Sequence, residues 1–160
     1  MADQTNDRVQ KFDSSGNFIT KWGSQGTGDG EFRTPGGVAV DGSGNVYVAD
    51  KGSYRVQKFD SSGNFIIKWG CCGSGDGQFT WPTGIWGVAV DSSGNVYVSD
   101  MGNDRVQKFD SSGNFITKWG SKGTGDGEFR SVHGIAIDSS GNVYVTDTIN
   151  DSIQKFTSGE

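Results

Sequence analysis

The string RVQKFDSSGNFI begins at Arg8 and returns at Arg55 and Arg105, and a shortened copy, SIQKF, begins at Ser152. The spacings are 47, 50 and 47 residues. The other segments keep step with it. GVAVD starts at Gly37 and Gly87 and returns as GIAID at Gly134. NVYV starts at Asn45, Asn95 and Asn142. The loop G-x-G-D-G-x-F occupies 26–32, 73–79 and 123–129. A chain that repeats itself at this period folds by stacking one supersecondary unit on copies of itself. The natural division is one domain over 1–160, with units at 8–54, 55–104 and 105–151 and a partial unit at 152–156.

Each unit holds four short runs rich in β-branched and aromatic residues. In the first full copy they are 38–40, 46–48, 56–59 and 65–69. Their period-two alternation predicts strands, with Val56 and Lys58 facing away from Gln57 and Phe59. No segment has a 3.6-residue period, so helix should be nearly absent. The connections are Asp-Ser-Ser-Gly-Asn, or Asp-Gly-Ser-Gly-Asn at 41–45. The Asp carboxylate can accept backbone N–H groups two residues on, and the Gly can turn left-handed, which makes a tight hairpin. A calcium loop is the competing reading of these Asp and Asn residues, but the acidic ligand density of such a site is missing.

Four-stranded units of this length, tandemly repeated, are the signature of propeller blades. NVYVAD, followed by Arg55-Val56-Gln57-Lys58-Phe59 and by Gly-Asp-Gly with a Phe, resembles the NHL repeat. D-x-x-N-D-R is legible at Asp3–Arg8 and Asp100–Arg105, while the middle copy has Ser53 and Tyr54 there. The resemblance covers essentially the whole chain. It implies an all-β propeller of four-stranded antiparallel blades, six to a ring, with the GVAV strand nearest the axis and the F-I-x-K-W strand outermost. Domains of this family bind proteins or RNA, and some enzymes, including the peptide-amidating lyase, share the architecture. The resemblance therefore fixes fold more sharply than function.

Residues present in every repeat are read as structural. Asp50 with Arg55, and Asp100 with Arg105, should tie loops together by charge-assisted bonds. Trp22, Trp69 and Trp119 should cover outer strands or blade joints, and Phe32, Phe79 and Phe129 should pack beneath the Gly-Asp-Gly loops. The informative positions break the pattern. GEFRTPGGVAV becomes GQFTWPTGIWGVAV in the middle copy, three residues longer. Trp81, Ile85 and Trp86, with the adjacent Cys71 and Cys72, form the candidate binding patch for a protein or small ligand. The cysteines read as two loop thiols, with a vicinal disulfide as the alternative.

Catalysis, metal and cofactor are not expected. His133, which replaces Gly36 of the first copy, is the sole His, too few for the zinc site of the amidating lyase. Gly-Thr-Gly-Asp-Gly does not open a helix, so it is no phosphate loop. The net charge is −5 and no Lys/Arg cluster exists, so nucleic acid is not the expected partner. An RNA-binding propeller would need Arg33, Lys51, Lys122 and Arg130 on one basic face. No apolar run approaches the ~18 residues that a membrane helix needs.

The repeats run from a third strand at the N-terminus to another third strand at Ile153–Phe156. Three copies are half of a six-bladed ring. A homodimer could close that ring, with one chain's N-terminal strands finishing its partner's last blade. Val9–Phe12 and Ile153–Phe156 then compete for one slot. The first brings Arg8 to the partner's Asp147; the second closes more cheaply because its loop is short.

Overall fold

The computed structural model describes residues 1–157. The chain is all-β, with three three-residue 3-10 turns and no longer helix among the described residues. Most of its strands form four antiparallel sheets in chain order, and two short parallel pairs, Cys71–Cys72 with Gln78–Phe79 and Ser121–Lys122 with Glu128–Phe129, lie in the connections. Sheet I has three strands, Ala2–Asp3, Arg8–Phe12 and Phe18–Trp22. Sheet II has four, Pro35–Val40, Val46–Asp50, Arg55–Phe59 and Phe65–Trp69. Sheet III repeats this with Val88–Val90, Val96–Asp100, Arg105–Phe109 and Phe115–Trp119. Sheet IV has Val132–Ile137, Val143–Asp147 and Ser152–Phe156. Strand order follows the chain in every sheet.

One detail differs from the sequence reading, and a second concerns the slot for which two strands compete. The N-terminal sheet opens with a two-residue stub, Ala2–Asp3, in the place of a second strand. The slot beside Val143–Asp147 is held, within the single chain, by Ser152–Phe156 in the full five-residue register of the other sheets.

The pentapeptide turns explain why the strands reverse where they do. In each, the Asp Oδ1 accepts two backbone N–H groups and the Asn amide donates to Oδ2; at Asp60 these are Ser62, Asn64 and the Asn64 side chain, all within 2.9 Å. The carboxylates are consumed by the turn itself. No group of three or more candidate metal-binding side chains exists among the described residues.

The alternation of the strands feeds three core clusters, one at each joint between successive sheets. Val9, Phe32, Val46, Val48 and Phe59 fill the first. Tyr47, Val56, Phe79, Val96 and Phe109 are central to the second, and Tyr97, Val106, Phe129, Val143 and Val145 to the third. Val56 and Phe59 thus serve opposite joints. The outer-strand Trp of one sheet closes the joint against the third-strand Phe of the next: Trp22 on Phe59, Trp69 on Phe109 and Trp119 on Phe156, at 5.8–6.0 Å between ring centroids. The Trp22 and Trp69 rings also lie over the next hairpin, which demands Gly there. A Cβ at Gly63 would sit 2.8 Å from Trp22, and one at Gly113 2.6 Å from Trp69.

The connections between sheets are clasped. The Asp50 carboxylate takes the Arg55 Nε at 2.8 Å, and its Oδ1 takes the Arg33 N–H at 2.7 Å. The Arg55 Nη groups donate to the carbonyls of Thr27, Gly28 and Glu31, and Gln57 donates to Glu31 O while accepting the Gly30 N–H. Arg105, Asp100 and Gln107 repeat the clasp on Ser74, Gly75 and Gln78. Burial pushes the Asp50 and Asp100 carboxyls up from the ordinary range despite their guanidinium partners.

Two outcomes test these assignments. Gly16 and Gly63 share the left-handed turn, but a Cβ at Gly16 meets nothing within 4 Å. Gly16→Ala should cost about 1–2 kcal/mol from backbone conformation alone. Gly63→Ala should cost a further ~1–3 kcal/mol from overpacking against Trp22, both read by urea denaturation. The Asn64 amide holds the Asp60 carboxyl below its ordinary value, and Asp13, Asp110 and Asp138 are lowered in the same way. Groups depressed on folding stabilise the protein above the unfolded pKa of about 3.9 and lose that contribution as pH falls through the folded value. A carbonyl-carbon NMR titration should place the Asp60 midpoint below 3.9, and Asn64→Ala should raise it.

Candidate functional site

Repeats this similar make the exceptions conspicuous. Gly36, Trp86 and His133 occupy one repeat position, at the entry to the inner strand. Lys51, Met101 and Thr148 occupy another, just after the second strand, and Ala49, Ser99 and Thr146 a third. The fold brings members of all three sets together where inner strands begin. The Lys51 ammonium lies 4.7 Å from the Trp86 ring centroid. The Trp86 ring meets the His133 ring edge-on at 5.1 Å. The His133 Nδ1 lies 2.7 Å from the Thr148 hydroxyl and 3.0 Å from the Ser131 carbonyl. The group spans sheets II, III and IV.

Backbone bonds hold these side chains in place. The Gly37 N–H donates to Trp86 O at 2.7 Å, joining sheets II and III. The Ser99 hydroxyl accepts the Gly87 N–H and donates to His133 O, both at 2.6 Å, joining sheets III and IV. In sheet IV, Thr146 takes the corresponding N–H from Gly134 at 2.7 Å. Lys51, Trp86 and His133 are half-buried and Thr148 is exposed. The assembly offers an indole, a cation and an imidazole. Among the described residues neither His133 nor Lys51 is bonded to a carboxylate.

The sequence-derived patch is divided by the structure. Trp81 is 66% exposed. Trp86 joins the group just described. Ile85 is fully buried among Tyr47, Val88 and Phe109, and belongs to the core rather than to a binding surface. Strand-like alternation in Gly84-Ile85-Trp86 sends neighbours to opposite sides. Cys71 and Cys72 are free, exposed thiols paired with Gln78–Phe79. They line a shallow cavity of about 520 Å³ with Arg33, Tyr54, Lys68 and Trp69. The four cations named for an RNA-binding face fall into two pairs. The Arg33 carbonyl accepts the Gly52 N–H beside Lys51, while Lys122 and Arg130 flank the sheet IV entrance. Lys51 and Thr148 were legible only as mismatches between repeats.

Ile85→Ala should cost about 2–5 kcal/mol, whereas Trp81→Ala should stay within about 0.5 kcal/mol. Equilibrium unfolding of the two variants separates core from surface within the insertion.

Comparison with known proteins agrees with this architecture. Residues 32–59 match the NHL repeat, and residues 87–158 match a family described as a 6-bladed β-propeller. No curated protein matches the chain. Among solved structures, a streptogramin B lyase superposes with a TM-score of 0.68 at 16% identity, over 99% of this chain and 47% of the lyase. A selenomethionine-substituted virginiamycin B lyase from Staphylococcus aureus superposes with a TM-score of 0.61 at 12% identity, over 96% of this chain and 50% of the lyase. At such identities the likeness concerns fold alone, and the chain spans about half the length of either lyase. The recurring motifs, the joined antiparallel sheets and these two matches agree on a β-propeller that carries the NHL repeat.

Proposed function

We propose that this chain is a non-catalytic β-propeller scaffold that binds a protein or small ligand at the Lys51–Trp86–His133 face, and that two copies close one six-bladed ring. The observation that carries the binding reading is the environment of His133: a hydroxyl, a carbonyl and an indole, with no acid to act beside it. Non-repeating residues gather at that face, as a specific site on a repetitive frame requires.

The two-copy reading is supported by the open ends. Sheets I and IV each have three strands where II and III have four. Phe12 and Phe18 of sheet I, Val40 on the first strand of sheet II and Ile153 of sheet IV are exposed. A cavity of about 410 Å³ at sheet I is lined by Val9, Phe12, Trp22, Val38 and Val46. Such edges and apolar faces are what ring closure removes.

Light scattering should return twice the chain mass of 17.0 kDa. A monomer at tens of micromolar would reject the ring. The lyase likeness suggests the rival reading, an enzyme fragment. Virginiamycin B incubated with the protein should stay intact; its loss, abolished by His133→Ala, would favour that rival. Single-stranded RNA in a salt series should show no binding beyond weak, salt-sensitive association.

A further inference from the structure

The two ends of the chain carry the separated halves of the clasp that joins its middle sheets. In sheets II and III one Arg meets an Asp and the carbonyls of the preceding connection, and its side chain is 7% exposed. In sheet I the guanidinium exists without the carbonyls. Arg8 donates its Nε to Asp3 at 2.7 Å, its Nη groups have no acceptor among the described residues, and it is 29% exposed. In sheet IV the carbonyls exist without the guanidinium. Asp147 accepts the Arg130 N–H and the Asn150 amide, and Gln154 donates to Glu128 O. Ser152 stands where Arg should be, opposite Asp147. The carbonyls of Thr124 and Gly125, counterparts of those bound by Arg55 and Arg105, accept no side-chain donor.

A second pair is divided in the same way. Lys68 meets Asp29 and Lys118 meets Asp76, each at 2.6 Å, binding an outer strand to the connection that enters its own sheet. Lys21 and Asp126 are the corresponding residues at the two ends. Both are exposed, and neither has an ion-pair partner among the described residues. The aromatic packing follows suit. Phe59 lies against Trp22 and Phe32, and Phe109 against Trp69 and Phe79, while Phe12 touches only Phe18 and is 38% exposed.

We propose that the occupant of sheet IV is the hairpin Arg8–Trp22 of a second copy. It replaces Ser152–Phe156 beside the partner's Val143–Asp147, brings Phe12 against Trp119 and Phe129, and supplies the outer strand that sheet IV lacks. The Ala2–Asp3 stub gives up its edge of the hairpin; Arg8 exchanges Asp3 for the partner's Asp147 and gains the carbonyls of its Thr124 and Gly125, and Lys21 bonds the partner's Asp126. The exchange is like for like along the strand, RVQKF for SIQKF, so Arg in place of Ser and the added outer strand decide it. This inference rests on the two-copy reading and specifies its contact.

Sedimentation equilibrium on the full chain tests it. Arg8→Met should raise the dimer dissociation constant by about 100-fold, equivalent to about 2.7 kcal/mol, with the near-ultraviolet circular dichroism of the monomer retained. Lys21→Glu and Asp126→Lys, both at exposed positions, should each weaken the dimer by about 3–10-fold per the ordinary strength of surface ion pairs. The double variant K21E/D126K should regain the parent constant. A monomeric parent overturns the ring and this contact together. A dimeric parent indifferent to Arg8→Met, or a double variant no tighter than its singles, overturns the contact and leaves the ring.

Discussion

The rest of the structure hangs on a buried guanidinium. A buried ion pair by itself seldom stabilises, because desolvation of two charges offsets their attraction. Arg55 and Arg105 escape that limit by what else they hold. Each gives its Nε to a buried Asp and its Nη groups to three carbonyls of a Gly-rich connection that has almost no ladder of its own. Without the Arg those carbonyls would turn inward unpaired. With it, the connection is fixed over the third strand of the sheet it enters. Phe32 and Phe79 lie in the joint against Phe59 and Phe109, and Phe129 keeps the same place against Phe156, where Gln154 alone holds the connection at Glu128 O. Sequence sets the loop, the loop sets the joint, and the joints set the curvature on which the candidate face depends.

The insertion of the middle repeat disturbs this arrangement at one atom. Asp50 Oδ1 accepts the Arg33 N–H and Asp147 Oδ1 the Arg130 N–H. Asp100 Oδ1 is buried with no partner. The residue corresponding to Arg33 is Thr80, whose backbone N–H makes no bond to Asp100; its hydroxyl bonds Gly73 O and Asn103. An orphaned buried acceptor costs on the order of 1–3 kcal/mol, so the diverted chain must return something. It returns Ile85 to the second core cluster and Trp86 to the face between Lys51 and His133. Local disorder in an otherwise regular bonding scheme thus coincides with the residues that make the face distinctive, as functional sites often do.

The strands, hairpins and Asp–Arg pairs were legible in the sequence because each is written three times at a constant spacing. The five-residue register of Arg55–Phe59 on Val46–Asp50 follows from alternation and a turn of known geometry. The division of the insertion was not legible. Ile85 and Trp86 are adjacent apolar residues, and which one faces the core depends on where the inner strand starts. That start is set by contacts with Lys51 O near Gly84 and with Ser99, far away in the chain. The Lys51–Trp86–His133 contact was hidden for a similar reason. Its members belong to three sheets, and only the packing angle between sheets makes them neighbours. The Ala2–Asp3 stub was hidden because two residues carry no period; Asp3 stands in for a second-strand Asp by bonding Arg8 and Gln10.

Near-identical repeats also make parts interchangeable, and this sets the terms on which two copies could share a sheet. Within one chain Ser152–Phe156 is tethered to its slot by the short turn after Asp147, an effective concentration on the order of millimolar. A second copy present at about 1 μM starts roughly 1,000-fold behind, or about 4 kcal/mol. Arg8 trades Asp3 for Asp147 and gains the two carbonyls, charge-assisted bonds of about 1.5–3 kcal/mol that alone fall short. The remainder has to come from apolar surface, and Phe12 and Phe18, more exposed than their counterparts in sheets II and III, supply it on the same hairpin. At about 25 cal/mol per Å², burying roughly 100 Å² of them adds about 2.5 kcal/mol. A ring also needs the intermolecular penalty only once, because after the first junction forms the second is intramolecular. The balance therefore favours exchange through cooperation between the two ends, and a chain with either end altered forfeits both junctions together.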